Sequence, residues 1–580
     1  MSNSLVGNVR VFLWAALALL LFYDYQAWMR DYPPLPATTA SSPVAARSTG
    51  GAAPANDLGS RIPQTPPPAT APSSPTPATS AAPAAAAQSA AVEGTTGTSS
   101  VGAAQGVVHV RTDVLDVDIS TRGGTLERVD LLAYPRVKGE ATPVRLENLD
   151  DAASLYELQS GLTGPEGAAY PTHLASYHSA RDDYALDGGR ELAVPLTWSE
   201  NGVSVTKTFL FRRGQYRIDV DYAVHNGGSV PWKAGPYAQI LRNDPPTKRS
   251  YFNVESYAWH GPAIWDGKYR KLDVSNAEDA HLAVDVRGGW VAALQHHFVS
   301  AIVPPPDAPW HFGLGVEGQQ YLLSASGPQQ TVAPGASAQF STTLFTGPKL
   351  QAQLDATSPE LGRVADYGHL WFLAQPLFLA LTWVHGITGN WGVAIVLVTF
   401  LLKLAFYPLS EASGRSMAKM KTLQPRIKNL QETYKDDREK LGRAMMELYK
   451  REKINPVAGC LPIVIQIPVF LAFYWVLLES VEMRQAPFAF WIHDLSSRDP
   501  WFILPAIMAA AMFVQYKLNP APPDPVQARV FMIMPIVMSA TFAFFPAGLV
   551  LYWVTNTVLS IAQQWNINRR IAAEAAARKS

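Results

Sequence analysis

Five long apolar stretches in the C-terminal third constrain this chain more than any other feature. They run over Trp391–Leu409, Val457–Leu478, Trp501–Tyr516, Val530–Phe545 and Leu549–Ala562. Because a segment in hydrocarbon must satisfy its backbone hydrogen bonds internally, such stretches are expected to form membrane-spanning helices. Together with an N-terminal apolar run, they predict a multi-span α-helical membrane protein with six transmembrane helices.

The first 105 residues contain two unlike segments. Val11–Tyr23 is apolar and is followed by aromatic residues, so residues 1–32 are predicted to form an uncleaved signal-anchor transmembrane helix. A signal peptide is the alternative, since this run is shorter than a full span. Residues 33–105 contain no aromatic residue and 13 of the chain's 46 prolines. We expect them to form a disordered Pro/Ala/Ser/Thr tether, because they cannot bury enough apolar surface to offset the entropy of ordering.

Residues 106–348 have the alternating pattern of a β domain. Val203–Phe211 and Tyr216–Val224 are rich in β-formers and flank a loop with Gly214, which predicts a hairpin. Several such runs predict a large β-sandwich. Residues 349–389 are predicted to be a connector with an interfacial amphipathic helix. Within it, Leu370–Val384 is short and contains Pro376, so an interfacial helix is at least as well supported as a span.

Basic residues predict the orientation of the helical core, residues 390–568. The segment 410–456 carries twelve Lys and Arg residues against seven Asp and Glu residues, which places it in the cytoplasm. Its apolar residues recur every three or four positions, so it is predicted to be a helical hairpin. Alternation of the spans then puts both termini, including the basic tail 569–580, in the cytoplasm. It puts residues 33–389 largely on the outer side, which is the periplasm in a bacterium with two membranes.

Lys403 is the only charged residue within the five apolar stretches. A charge in hydrocarbon costs several kcal/mol, so it indicates a functional position. The alternative is that the side chain extends to the cytoplasmic headgroups. Thr399 lies four residues earlier and therefore on the same helix face.

The sequence carries no motif for an enzyme, a cofactor or a metal. It has no GxSxG, P-loop or dinucleotide fingerprint, and no Asp/Glu pair within the apolar stretches. Cys460 is its single cysteine and the histidines lack the spacing of metal ligands, so no metal site is expected. The chain has 47 basic and 47 acidic residues, so it lacks the excess of positive charge that is typical of proteins that recognise nucleic acids.

Several long motifs of the core resemble the YidC family of membrane protein insertases. They are NWGVAIVLVTFLLKLAFYPLS, SMAKMKTLQPRIKNLQETYKDD, LYKREKINPVAGCLPIVIQIPVFLAFYW, RQAPFAFWIHDLSSRDP and FPAGLVLYWVTN. The segments TDVLDVDISTRGGTLERVDLLAYP and GGWVAALQHHFVSAIVP resemble the gram-negative form. The resemblance implies a five-helix insertase core in the inner membrane, with a groove open to the cytoplasm and to lipid. It also implies a periplasmic β-supersandwich domain.

The resemblance implies roles for individual residues as well. Family members commonly have Arg at the position of Lys403, where the charge receives hydrophilic parts of a nascent chain. The expected substrate groove consists of Lys403, Thr399, Gln515, Trp553 and Tyr552. The expected hydrophobic exit face consists of Phe470, Phe473 and Met508, although the two phenylalanines fit core packing equally well.

The implied function is insertion of nascent membrane proteins, alone or with the Sec translocon, and assistance in their folding. The expected partners are nascent membrane proteins, the ribosome, the Sec translocon and the lipid bilayer. The alternative function is that of a channel or solute transporter with a carbohydrate-binding periplasmic domain. The basic hairpin 410–456 favours the insertase, because such a surface suits ribosomes or nascent chains rather than a small solute.

Overall fold

The computed structural model describes residues 58–63, 106–244, 258–434, 437–452, 461–518 and 525–577. The predicted N-terminal anchor, most of the predicted tether and the last three residues of the basic tail lie outside these ranges.

The described residues between 107 and 348 form a two-sheet β domain. Its strands are β1 (Val107–Arg111), β2 (Leu115–Ser120), β3 (Leu126–Pro135), β4 (Pro143–Arg145), β5 (Tyr156–Thr163), β6 (His178–Ser179), β7 (Asp183–Ala185), β8 (Glu191–Glu200), β9 (Val203–Arg212), β10 (Arg217–Asn226), β11 (Trp232–Asn243), β12 (Gly261–Trp265), β13 (Tyr269–Lys271), β14 (Ala283–Arg287), β15 (Trp290–Leu294), β16 (Phe298–Val303), β17 (Pro309–Glu317), β18 (Gln320–Ser326), β19 (Gln330–Val332) and β20 (Ser337–Pro348).

The two sheets share one apolar core. One sheet follows the order β14-β17-β18-β11-β5-β3-β2-β1-β7, with β19 paired to β11 and β4 to β3. The other follows β13-β12-β15-β16-β20-β10-β9-β8-β6. Val117 of the first sheet and Phe209 of the second belong to the same cluster of fully buried side chains. The β-sandwich predicted from alternating residues is therefore present.

The predicted hairpin is antiparallel strands β9 and β10, which pair from Val203–Asn226 to Phe211–Ile218. Alternate residues of β9 face the core, and this periodicity also points Lys207 inward. Its Nζ donates to the carbonyls of Gly123, Gly124 and Ser160 at 2.8–2.9 Å. All three ammonium protons therefore have acceptors, although burial holds the pKa of Lys207 well below its usual value.

The remainder of the described chain is helical. After α1 (Ala277–Ala280), inside the β domain, come α2 (Gln351–Thr357), α3 (Trp371–Thr388), α4 (Trp391–Ala405), α5 (Tyr407–Thr433), α6 (Arg438–Arg451), α7 (Leu461–Glu479), α8 (Ile503–Leu518), α9 (Pro525–Phe542) and α10 (Ala547–Ala577). Short 3-10 turns occupy Leu58–Ser60, Ala152–Ser154, Leu361–Val364, Gly368–Leu370 and Val481–Met483. A second apolar core lies among α3, α4, α7, α8 and α10.

The prediction of six transmembrane helices is not confirmed over the described ranges. By length and composition, one helix, Gly368–Thr388, could cross a membrane. A second qualifies if α4 and the start of α5, bent by 60°, count as one span. The apolar parts of α7, α8 and α9 are shorter. The segment expected to be interfacial thus meets the length test, because its helix continues through Pro376 to Thr388.

The segment 410–456 contains the two predicted amphipathic helices, α5 and α6, in its described part. Leu423 and Ile427 of α5 are buried together with Leu448 and Tyr449 of α6. Leu423 and Ile427 are four residues apart and so lie on one face of α5, and Met445, which packs against the same cluster, precedes Leu448 by three residues on α6. Pro425 lies inside α5 without ending it.

Polar contacts connect the β domain to the helices. Lys271 Nζ lies 2.6 Å from the carboxylate of Asp366, His296 Nε2 lies 3.0 Å from the carbonyl oxygen of Leu478, and Arg484 donates to the carbonyl of Pro135 at 2.9 Å. Leu478 is next to the last residue of α7, so these contacts connect the β domain to a helix that lines the site described below.

A polar cleft between the helices as the candidate functional site

A cleft opens between α4, the start of α5, α7 and α10. We call it the polar cleft, and its lining consists of Thr399, Leu402, Lys403, Phe406, Leu409, Ser410, Ile465, Gln466, Val469, Tyr552 and Asn556. Three of the five residues predicted for the groove, Lys403, Thr399 and Tyr552, are therefore brought together. The apolar members surround a polar centre.

Lys403 supplies the positive charge of the polar cleft. It lies in the last turn of α4, and its Nζ donates to Ser560 Oγ of α10 at 2.8 Å and to Gln466 Oε1 of α7 at 3.4 Å. Both acceptors are neutral. The ammonium is thus held between α7 and α10.

A chain of hydrogen bonds continues from Lys403 along α10. Gln466 Nε2 donates to Asn556 Oδ1 at 2.6 Å, and the hydroxyl of Ser560 donates to the Asn556 carbonyl at 2.7 Å. Because that proton is used on its own helix, the Ser560 oxygen is free to accept from Lys403. Tyr552 is hydrogen-bonded to Gln466. Tyr552, Asn556 and Ser560 follow one another at intervals of four residues, which places them on one face of α10.

Sequence reasoning did not select Gln466, Asn556 or Ser560 for the groove. The i, i+4, i+8 spacing of Tyr552, Asn556 and Ser560 was the available signal. The partnership of Gln466 with Lys403 joins residues 63 positions apart, and no local pattern indicates such a contact.

Thr399 lines the polar cleft, but its hydroxyl is not available to a client. Its Oγ1 donates to the Ile395 carbonyl, one turn earlier in α4, at 2.6 Å, and the residue is 1% exposed. The hydroxyl is satisfied within its own helix, so Thr399 forms part of the inner wall of the polar cleft next to Lys403.

Tyr552 and Trp553 point in different directions from α10. The ring of Tyr552 stacks on Phe473 at 4.5 Å, whereas Trp553 meets Phe470 edge-on at 4.7 Å and Phe542 at 5.2 Å. Successive helix residues are rotated by about 100°, which explains the difference. Trp553 is therefore in an aromatic cluster between α7, α9 and α10. Neither Trp553 nor Gln515, half-buried on α8, is among the described residues lining the polar cleft.

The three residues expected on the hydrophobic exit face occupy different environments. Phe473 and Met508 are fully buried in the helical core, and Phe470 is partly buried. An exposed apolar surface next to the polar cleft lies instead on α7. It consists of Val464, Ile465 and Ile467, which are 54%, 38% and 44% exposed. We call these three residues the α7 apolar flank.

One cluster of potential metal ligands occurs in the part of the chain that the structure describes, His109, Asp116 and Asp118 on β1 and β2. The guanidinium of Arg128 already occupies its centre. Arg128 donates to Asp118 at 2.6 and 2.8 Å and to Asp116 at 3.0 Å. Such bidentate pairing satisfies the carboxylates with a protein cation, so the cluster is an ion-pair network.

Two protein-family models match the chain. The one described as 60Kd inner membrane protein matches residues 383–574, and the one described as YidC periplasmic domain matches residues 107–380. The proteins named membrane protein insertase YidC from Thioalkalivibrio sulfidiphilus and Nitrosococcus oceani are 45% and 44% identical to the chain. Both alignments cover 98% of the chain and 99% of the relative. The chain belongs to the YidC family of membrane protein insertases.

Family membership confirms several predictions from the sequence. The protein is a membrane insertase, a non-enzymatic function, of the inner membrane with a periplasmic β domain. Its substrates are nascent membrane proteins, and it works in the lipid bilayer. The solute transporter considered above is not favoured by these relatives.

Similarity to solved structures is weaker. The crystal structure of an active YidC insertase with its first transmembrane domain resolved has a TM-score of 0.34 at 19% identity, covering 79% of this chain and 94% of that one. A putative aldose 1-epimerase from Escherichia coli K12 has a TM-score of 0.26 at 13% identity, covering 42% of this chain and 99% of that one. Neither similarity contributes to the functional assignment.

Proposed function

We propose that the polar cleft is the groove in which the insertase receives the hydrophilic part of a nascent membrane protein. The α7 apolar flank then passes the client's apolar segment into lipid. The observation that carries the proposal is the position of Lys403, whose ammonium lies in the polar cleft and, among the residues that the structure describes, donates to the neutral acceptors Ser560 and Gln466.

A polar cleft lowers the main barrier to insertion. A hydrophilic segment in bare hydrocarbon leaves backbone groups unsatisfied, at several kcal/mol each. The side chains of Gln466, Asn556 and Tyr552 offer donors and acceptors at that depth. The segment therefore crosses part of the membrane in contact with polar groups, and burial of the client's apolar helix in lipid supplies the driving force.

The ammonium of Lys403 favours clients with an acidic residue in the translocated part. A carboxylate that enters the polar cleft can replace Ser560 and Gln466 as the hydrogen-bond acceptor, which exchanges neutral partners for an ion pair. Lys presents a compact charge with rotatable donors rather than the planar fork of Arg, so we infer attraction without bidentate recognition.

We further propose the finer topology and partners of the insertase. The chain has six spans with both termini in the cytoplasm, and hairpin 410–456 lies on the cytoplasmic side, where twelve basic residues favour this orientation. The same basic surface suits contact with the ribosome, and the insertase acts alone or next to the Sec translocon.

Photocrosslinking to a stalled nascent chain tests the proposal. A benzophenone amino acid replaces Asn556 inside the polar cleft, and a matched variant carries it at Val537 on α9, whose side chain is 53% exposed. We expect the hydrophilic tail of the client to crosslink to position 556 and not to position 537. Equal crosslinking of the tail at both positions would show that it does not enter the polar cleft.

A further inference from the structure

A short piece of the predicted tether lies on the β domain. Residues Leu58–Ser60 form a 3-10 turn, and Leu58 is 1% exposed. Its side chain packs against Leu241 of β11 and Leu322 of β18, which are paired across the two strands, and next to Leu155. This contact was not expected from the low hydrophobicity of residues 33–105, which predicts a tether without fixed contacts.

Two buried side chains of the β domain hold the backbone of this segment. His173 Nε2 lies 3.0 Å from the carbonyl oxygen of Gly59, and Gln239 Nε2 donates to the carbonyl of Arg61 at 3.1 Å. Since a carbonyl only accepts, Nε2 of His173 carries the proton, and Nδ1 accepts from the Tyr237 hydroxyl at 2.6 Å. Gln239 Nε2 also donates to Gln159 Oε1 at 2.6 Å, so His173 and Gln239 each have a hydrogen-bond partner within the β domain in addition to the segment.

The sequence of the tether explains why contact occurs at this place. Leu58 and Ile62 are the only Leu, Ile, Val, Met or aromatic residues between Val44 and Val92. Leu58 packs on Leu241 and Leu322, which face each other across the paired strands β11 and β18, while Gly59 and Arg61 present their carbonyls to the two buried donors. Side-chain packing and backbone recognition therefore converge on one five-residue piece of an otherwise featureless segment.

We propose that residues 58–62 are a clip that binds a preformed site on the β domain and keeps the N-terminal anchor close to the helical core. With the clip bound, the leash between the anchor and the β domain is residues 33–57, which is 25 residues. Without it, the leash is residues 33–105, which is 73 residues.

The expected effect of the clip follows from chain statistics. A flexible chain has a root-mean-square length of about 5–6 Å times the square root of its residue number. The clip therefore shortens the leash from about 43–51 Å to about 25–30 Å. Because effective concentration falls roughly as the −3/2 power of length, the anchor is about fivefold more concentrated near its attachment point when the clip is bound.

Limited trypsin digestion of the full-length insertase in its membrane tests whether the clip binds. Arg47 and Arg61 are the only basic residues in 33–105, so they give two tether cleavage sites of which only Arg61 lies in the clip. We expect cleavage after Arg61 to be at least tenfold slower than after Arg47. The change Leu58→Ser should remove this protection, whereas the matched change Leu35→Ser should not. Equal cleavage at both arginines in the unaltered protein would overturn the proposal.

Crosslinking of the anchor to the helical core tests the leash. In a Cys460→Ser background, single cysteines at Trp28 and at exposed Phe502 are joined by a flexible bifunctional maleimide. We expect Leu58→Ser to lower the yield about fivefold and Leu35→Ser to leave it unchanged. If Leu58→Ser removed the protection of Arg61 from trypsin but left the crosslinking yield between positions 28 and 502 unchanged, the clip would not control the length of the leash.

Discussion

The change Lys403→Met removes the charge of the polar cleft while keeping a side chain of similar length. It abolishes the hydrogen bonds from Nζ to Ser560 Oγ, at 2.8 Å, and to Gln466 Oε1, at 3.4 Å. Met is a good helix former, so α4 should be retained. The variant therefore isolates the contribution of the ammonium.

The structure allows the effect on an acidic client to be worked out. An ammonium and a carboxylate about 4 Å apart attract each other by about 4 kcal/mol at an effective dielectric constant of about 20. To form that pair, Lys403 gives up two hydrogen bonds to neutral acceptors, each worth about 1 kcal/mol. The difference, about 2 kcal/mol, corresponds to roughly a thirtyfold change in rate.

The assay compares two clients in liposomes that contain the purified insertase. Both clients have the same single apolar segment, and their translocated tails differ only by Asp or Asn at one position. We expect Lys403→Met to slow the Asp client about thirtyfold more than the Asn client, and Lys403→Arg to restore the difference. Equal slowing of both clients would refute the role of the charge, because it would indicate a general defect of the helices.

Two further predictions concern stability. Gly392→Ala should cost about 1–3 kcal/mol in thermal unfolding of the solubilised insertase, because a Cβ there would lie 2.1 Å from the ring of Phe488; Gly386→Ala, with nothing within 4 Å, is the matched control and should not destabilise. His173 by itself should lower the stability of the β domain by about 2 kcal/mol between pH 8 and pH 5, because burial lowers its pKa to about 4. The unfolded chain gains the proton near the ordinary histidine pKa of 6.5 whereas the folded one does not, so the stability is complete above that pH and falls toward pH 4. Amide hydrogen exchange, corrected for the intrinsic exchange rate at each pH, measures the unfolding free energy of the β domain. If this free energy fell with pH as steeply in His173→Gln as in the unaltered protein, His173 would not be the cause of the loss.

The sequence predicted those features that depend on local patterns. Alternation in Val203–Phe211 and Tyr216–Val224 is sufficient for the β9–β10 hairpin, since a residue period of two specifies a half-buried strand. An isolated charge in an apolar stretch is costly wherever the helix lies, which is why Lys403 could be selected without knowledge of its partners. Its position in the polar cleft agrees with that selection.

The orientation of apolar helix residues could not be predicted in the same way. Lipid and a helical core are both apolar, so composition does not distinguish a residue that faces one from a residue that faces the other. Phe473 and Met508 are therefore as hydrophobic as the α7 apolar flank but are fully buried. Trp553 illustrates the same limit, because one residue of helix rotation separates it from Tyr552 in the polar cleft.

The clip was missed for a related reason. Averaged over residues 33–105, the tether has too little apolar surface to fold, and this average conceals Leu58 and Ile62 at helix-like spacing. Its receptor depends on His173 and Gln239, which come from distant parts of the β domain.

Charge reversal at the polar cleft tests the central claim most directly. Lys403→Glu is combined with a client whose translocated tail carries Lys in place of Asp, and the insertion rates of all four pairings are measured. The account predicts that Lys403→Glu slows the Asp client and restores rapid insertion of the Lys client, since opposite charges again meet in the polar cleft. If Lys403→Glu slowed both clients equally, the client's charged residue would not lie near position 403, and the account would be contradicted.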